Sequence, residues 1–304
     1  MTIKHIVISG GGPTGFITYG AARHLAKENF WNLENIKTIY GCSAGAYIGI
    51  VLSLGYDWDW LDDYFIKRPW DKVIGITPTN IFESFVKKGI IGERFMRDSI
   101  EPLFTAKDID AQITLQQFYE LNGIDIHLYS ANINADNIEK VDISHTTHPD
   151  ISVIKALYMS TSLPFAFEPV IDGEACYIDG GILNNYPLND CIQQTNCNTD
   201  EILAFKNVWS NKNASITNES SLLDFLNTMI WKIQCYMSSD KNQPYVKNTV
   251  ECRVENINGI ASWLDIISTI ENRKQLIDIG MFYAIEFLNN IESANNTQSA
   301  NIII

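Results

Sequence analysis

Near the start of the chain the apolar residues Ile6, Val7 and Ile8 follow one another without a polar break. A cluster of glycines comes next, and then Ile17, Ala21, His24 and Leu25 at helical spacing. The pattern predicts a buried strand over residues 3–9, a glycine turn, and a helix over 14–27. Residues 35–40 ("NIKTIY") read as a second strand, and 44–54 as a small apolar helix buried on most faces. Strand, helix, strand, helix in that order implies an α/β domain, a mainly parallel sheet with helices on both sides.

Between residues 56 and 110 the strand period is lost. "YDWDWLDDYFIKRPW" interleaves aromatic rings with acids, and the stretch is expected to be a helical, cap-like excursion outside the sheet. Sheet-like runs return at 125–133 and 138–143, a helix is expected at 152–160, and two short strands bracket "DGEA" near 172–175. A strand at 201–208, an amphipathic helix at 221–237, a last strand at 248–257 and a largely helical 260–290 complete the pattern. With no internal repeat and no dividing linker, residues 1–292 read as a single domain. The end, 293–304 ("SANNTQSANIII"), is polar and then apolar, and is expected to be loose.

Composition narrows the partners. Lys and Arg number 22 against 36 Asp and Glu, a formal charge of −14, so the chain repels phosphate backbones and nucleic acid is excluded as a main partner. Anionic membranes are disfavoured for the same reason, and any membrane contact has to come from apolar insertion. The opening "MTIKHIVISGGG" is too short in apolar residues for a secretion signal, and the longest uncharged apolar run, 41–56, falls short of the ~20 residues that span a bilayer. A cytoplasmic protein, at most peripheral at membranes, is expected. Cys42, Cys176, Cys191, Cys197, Cys235 and Cys252 show no C-x-x-C spacing and read as reduced thiols. The acids Asp57, Asp59, Asp62 and Asp63 lack calcium-loop spacing and read as a solvated helix face. Their neighbours Trp58, Trp60, Tyr64, Phe65 and Trp70 are either core aromatics of the cap or an interfacial lipid-binding surface.

The candidate chemistry lies at two glycine-rich turns. Gly10, Gly12 and Gly15 in "HIVISGGGPTGF" fit the dinucleotide fingerprint, which requires an acidic residue at the end of the following strand. That strand runs instead into Gly41-Cys42-Ser43-Ala44-Gly45. This is G-x-S-x-G at a strand-to-helix junction, where the glycines let a serine hydroxyl project above the sheet at a helix N-terminus. A nucleotide-dependent oxidoreductase is therefore the weakest reading. Gly11 and Gly12 can then offer backbone N–H groups to an oxyanion, since no Cβ blocks a carbonyl's approach, whereas Pro13 has no N–H. For the base of Ser43 two choices stand. One is Asp136 or Asp142 with His145 or His148, although those histidines lie in the polar "SHTTHPD" and are expected to face solvent. The other is Asp179, which ends an apolar strand in "CYIDGGILNNYPL".

Taken together, "GGGPTG", "GCSAG" and "DGG", with "MSTSLPFAF" ahead of the last, resemble the patatin-like phospholipases, and the likeness runs from Ile3 to about Leu188. The resemblance implies a three-layer α/β/α fold and a Ser–Asp dyad, Ser43 as nucleophile and Asp179 as base. It also makes the Gly10–Gly15 turn an oxyanion hole, with Gly11, Gly12 and the Ala44 N–H as donors. Gly10, Gly15, Gly41, Gly45, Gly180 and Gly181 are the motif glycines. The implied activity is lipid acyl hydrolysis of phospholipase A type through an acyl-serine, with a lipid or phospholipid substrate and neither metal nor cofactor. A non-catalytic lipid-binding scaffold and an esterase or acyltransferase on small or thioester substrates are the alternatives. An ordinary aspartate is a weak base, so the dyad is expected to be desolvated. Thr14 stands where the family usually has a basic residue.

Overall fold

The computed structural model describes residues 2–209, 215–237, 243–254 and 259–301. The opening pattern folds as β1 (His5–Ile8), α1 (Gly15–Lys27), β2 (Thr38–Cys42) and α2 (Ala44–Ser53). The excursion then forms α3 (Trp58–Lys67), α4 (Trp70–Ile74), α5 (Pro78–Lys87), the short β3 (Gly89–Ile91) and α6 (Glu93–Thr105). Asp57 caps α3 by accepting the N–H groups of Asp59 and Trp60, and Thr77 caps α5 just ahead of Pro78.

Next along the chain are α7 (Leu115–Asn122), β4 (Asp125–Asn132), β5 (Glu139–Ile143), α8 (Val153–Thr161), β6 (Phe165–Phe167), β7 (Val170–Asp172) and β8 (Ala175–Asp179). A single turn α9 (Gly181–Asn184) leads to α10 (Leu188–Thr195), β9 (Ile202–Trp209), α11 (Leu222–Met237), β10 (Thr249–Val254), α12 (Gly259–Ser268) and α13 (Ile270–Asn301).

The main sheet runs β10-β9-β1-β2-β4-β8-β7, with β5 on β4. The strands from β10 to β4 pair in parallel, while β5, β7 and β8 join antiparallel, giving a mixed, mostly parallel sheet between two helical layers. The period of two sorts its residues. Ile6, Ile8, Ile39, Leu128 and Phe205 face the larger core; Val7, Tyr40, Tyr129 and Ala204 face the smaller one under α10.

Several expectations are corrected. The second strand begins at Thr38, because Leu33–Asn35 turn as a 3-10 helix capped by Asn32. The excursion is not purely helical, since β3 pairs with β6 in a separate two-stranded ribbon. Nor does it lie apart: Leu61, Phe65, Trp70, Met96, Ile100 and Phe104 are part of the larger core. Arg273 of α13 fastens it there, with a guanidinium 1% exposed that donates to the carbonyls of Phe65, Ile66 and Arg68 at the end of α3. The stretch from 293 is helical as far as Asn301. It continues α13, as a run holding neither Gly nor Pro allows. Residues 302–304, and the end of the predicted last strand at 255–257, lie outside the described residues. All six cysteines are free.

Candidate active site

Ser43 stands between the end of β2 and the first residue of α2, with φ 53° and ψ −124°. That left-handed backbone is costly for a residue with a Cβ, and it aims the side chain off the top of the sheet. The turn is possible because α2 starts directly over the end of β1. A Cβ on Gly45 would lie 2.8 Å from the Ser9 carbonyl oxygen and closer still to that of Ile8. The Ser43 N–H donates to Ser160 Oγ at 3.1 Å, and Ser160 in turn donates to the Tyr129 carbonyl at 2.7 Å. The "MSTS" segment thus holds the backbone of the turn from α8.

Asp179 is the last residue of β8. Strand β4 brings it to Ser43: Cys42 is opposite Tyr129 and Asp179 opposite Ser130, while β5 takes the other edge of β4. Ser43 Oγ donates to Asp179 Oδ2 at 2.6 Å, and the Gly181 N–H donates to Oδ1 at 2.7 Å. The carboxyl is 2% exposed. Burial raises its pKa to about 6, against the opposing pull of the hydrogen bonds from Ser43 and Gly181. The nearby Cys42 thiol, 4.0 Å from Oδ1, is pushed well up by burial and by the Asp179 charge.

The first glycine turn is held at the same height by two asparagines. The Gly10 N–H donates to the Asn185 carbonyl at 3.0 Å, and Asn185 Nδ2 and Asn207 Nδ2 both donate to the Gly10 carbonyl, at 3.2 and 3.0 Å. Asn207 Nδ2 also reaches Thr14 Oγ1 at 2.8 Å, and that hydroxyl donates to the Gly11 carbonyl at 3.1 Å. Thr14 is fully buried and steadies the loop by hydrogen bonds without a cation. At Gly12, φ is +57° and a Cβ would press on the Trp263 indole at 3.0 Å. Asn207 is missed from sequence, where the only signal is an amide shortly after the apolar run "ILAF" on β9, and Ser160 is singled out there only as part of "MSTSLPFAF".

Gly11, Gly12, Ser43, Ala44 and Asp179 all line one cavity of about 410 Å³. Ala44 is the first residue of α2, so its N–H has no carbonyl of that helix to bond. Part of the wall is aromatic: Phe16, Tyr47, Phe65 and Trp70 pack ring on ring, with centroids 5.8 to 6.5 Å apart. Asn185, Lys206, Asn207 and Gln234 form a polar part, and Lys206 is the one basic side chain among the described lining residues. Such a cavity suits an amphiphile with its reacting carbonyl at the serine.

The histidine alternative does not assemble. His145 Nδ1 is 3.0 Å from Asp125 Oδ1 and its ring stacks on Tyr119, so it is half-buried rather than solvated. His148 is also half-buried and bonds to Thr147 Oγ1. Asp142 is taken by His127, whose ring stacks on Tyr40 of the smaller core, and neither is among the described residues lining the cavity. No histidine is among the described residues lining the cavity. Asp136 does not line it either.

The model of the family described as "Patatin-like phospholipase" matches residues 6–192. The "Probable lipid hydrolase 463L" of Invertebrate iridescent virus 6 is 27% identical over 197 residues, 64% of each chain. An uncharacterized protein of Acanthamoeba polyphaga mimivirus is 30% identical over 186 residues, 61% of this chain and 60% of its own. The chain thus spans under two thirds of the length of these relatives. Among solved structures, VipD from Legionella pneumophila superposes with a TM-score of 0.54 over 95% of this chain and 67% of its own, at 16% identity, a likeness of fold. With its motifs gathered on one cavity and the family model covering more than half its length, the chain belongs to the patatin-like phospholipase family.

Proposed function

We propose that this protein is a lipid acyl hydrolase of phospholipase A type, working through a Ser43–Asp179 dyad and an acyl-serine. One observation carries the reading: a 2.6 Å hydrogen bond from Ser43 Oγ to a buried carboxylate, at a cavity walled in part by aromatic rings. Asp179 takes the Ser43 proton as Oγ adds to an ester carbonyl, and the N–H groups of Gly11, Gly12 and Ala44 receive the oxyanion. As the tetrahedral intermediate collapses, the same proton passes to the departing alcohol and the acyl group stays on Ser43. Water then gives its proton to Asp179 and adds to the acyl-serine, and return of that proton to Ser43 releases the fatty acid. No metal or cofactor takes part.

The lowered acidity of Asp179 suits this role, since a base with pKa about 6 is deprotonated at neutral pH yet stronger than an ordinary carboxylate. In this reading the acyl chain occupies the aromatic part of the cavity and the head group meets Lys206 and Gln234. Among the described residues no helix is long and apolar enough to cross a membrane. In this reading the substrate is reached from the water side, in the cytoplasm or at a membrane surface. The test is incubation of the purified protein with mixed phospholipids and neutral lipids, with mass-spectrometric detection of released fatty acids. Fatty acid release by the wild type and not by Ser43→Ala is the expected result; lipid binding without release would identify a scaffold instead.

A further inference from the structure

In the Tyr56–Trp70 segment only Trp60, at 40%, is exposed among the large apolar side chains. Leu61, Phe65 and Trp70 are buried, Trp58 packs edge-on against Trp31, and Trp60 is stacked between Tyr56 and Tyr64. Large exposed apolar side chains gather on two other helices. On α5, Ile81, Phe82, Phe85 and Val86 are 50, 78, 86 and 78% exposed. On α11, Leu222, Phe225, Met229 and Ile233 make a stripe at helical spacing, all at least 40% exposed. Both helices lie against one two-stranded ribbon: α5 packs on β3, β3 pairs with β6, and α11 packs against β6, where Phe165 is itself exposed.

From these observations we infer that the α5–α11 face is the membrane-docking surface of the protein, fitted to the neutral surface of a phosphatidylcholine bilayer. The inference rests on the lipid hydrolase reading and names where that site meets its substrate. Continuity with the cavity is the first argument: Thr228, Trp231 and Cys235 of α11 line it while the Leu222–Ile233 stripe faces outward. One helix therefore has the serine's cavity on one side and solvent on the other, so a lipid leaving the bilayer under α11 has a short way to Ser43. Charge is the second. Lys87, Lys88 and Lys232 offset Glu83 and Asp224, leaving the face close to neutral on a chain of formal charge −14. The repulsion that keeps anionic surfaces away from the rest of the molecule is absent here, and apolar burial has nothing to work against.

The experiment is flotation with phosphatidylcholine vesicles, beside hydrolysis of a short monomeric ester and thermal melting. The variants are Phe82→Asp with Phe85→Asp, and separately Leu222→Asp with Phe225→Asp, none of which lines the cavity. Each pair is expected to cut vesicle binding about tenfold or more, since two apolar side chains no longer leave water. Monomeric ester hydrolysis and the melting temperature should stay as in the wild type. Ser43→Ala should float like the wild type, so hydrolysis retained by Ser43→Ala with flotation intact sinks the dyad and not the surface. Flotation of both variant pairs at the wild-type level overturns the inference, as does failure of the wild type to float. Sedimentation velocity supplies the remaining outcome: a wild-type dimer that the variants split, without effect on vesicles, would make this face a contact between copies.

Discussion

Ser43 and Asp179, 136 residues apart in sequence, are joined by a 2.6 Å hydrogen bond because both chain ends leave the same edge of β4 at consecutive rungs. If the pair works as a unit, removing either member costs about as much as removing both. Ser43→Ala and Asp179→Asn should each lower ester hydrolysis by about 10³-fold or more while the chain stays folded. A serine-directed fluorophosphonate should label Ser43 alone, and a chelator should leave the rate unchanged. Activity lost to EDTA and restored by calcium would refute the mechanism.

The pH dependence follows from the pKa of Asp179, raised to about 6 by burial. The rate at low substrate should climb as Asp179 deprotonates and level off above that value. Stability runs the opposite way. Between the ordinary value of 3.8 and about 6, the folded chain keeps a proton that the unfolded chain has released, so folding weakens as pH rises through this window. At neutral pH the cost is roughly 3 kcal/mol. Asp179→Asn should therefore melt a few degrees higher than the wild type at pH 8 and level with it near pH 3.5. An inactive variant with no such gain would contradict the buried charge.

A second titration belongs to structure, not to catalysis. His127, 6% exposed, lies between Asp125 and Asp142 with its ring stacked on Tyr40 at 4.4 Å. Burial alone would lower its pKa, but the hydrogen bonds and charge of the two aspartates outweigh it and hold the imidazolium to about 9. Its stabilising effect is complete below the usual 6.5 and is lost as pH rises to about 9, roughly 3 kcal/mol in all. His127→Gln should flatten the fall in melting temperature across that window and leave ester hydrolysis unchanged. His145→Ala and His148→Ala should be nearly silent in activity; a loss equal to that of Asp179→Asn would restore a triad.

The glycine turn offers a test of positioning. Asn207→Ala removes the bonds to the Gly10 carbonyl and Thr14 Oγ1. Loss of an aligned oxyanion donor is worth about 10²- to 10³-fold in kcat, so a partial misalignment should cost about tenfold with KM little changed. Gly12→Ala, which strains φ and presses on Trp263, should cost more. A change in KM with kcat intact would place Asn207 in substrate binding instead.

Lys206 tests the head group. Its ammonium lies over the Tyr186 ring at 5.4 Å and bonds to Gln243 Oε1 at 3.3 Å, and it is the one basic group among the described residues of the cavity wall. Lys206→Met should raise KM for a phospholipid about tenfold, the worth of one charge-assisted hydrogen bond, and spare a neutral diacylglycerol. Equal loss on both substrates would remove the phosphate from this end.

Local chemistry determined a large part of this protein. Runs such as Ile6-Val7-Ile8 and helical periods such as Ile17, Ala21, Leu25 depend on neighbours in sequence, so β1, α1 and α2 are legible without tertiary information. The Ser43 elbow is legible too, because two glycines flanking a serine between strand and helix leave the backbone few alternatives. The distant pairings were decided only in the folded molecule. Nothing in "DGG" says which strand it joins. The antiparallel seat of β8 on β4 brings Asp179, and neither Asp136 nor Asp142, to within a hydrogen bond of Ser43, and the same seat buries the carboxyl and raises its pKa. Asn207 becomes part of the glycine turn only because β9 runs beside β1. The aromatics of Tyr56–Trp70 read most simply as core by composition, with an interface as the alternative. Arg273, two hundred residues away, settles the matter by fastening the end of α3 into the core. Exposure is a property of what packs nearby, and in this chain it falls to α5 and α11.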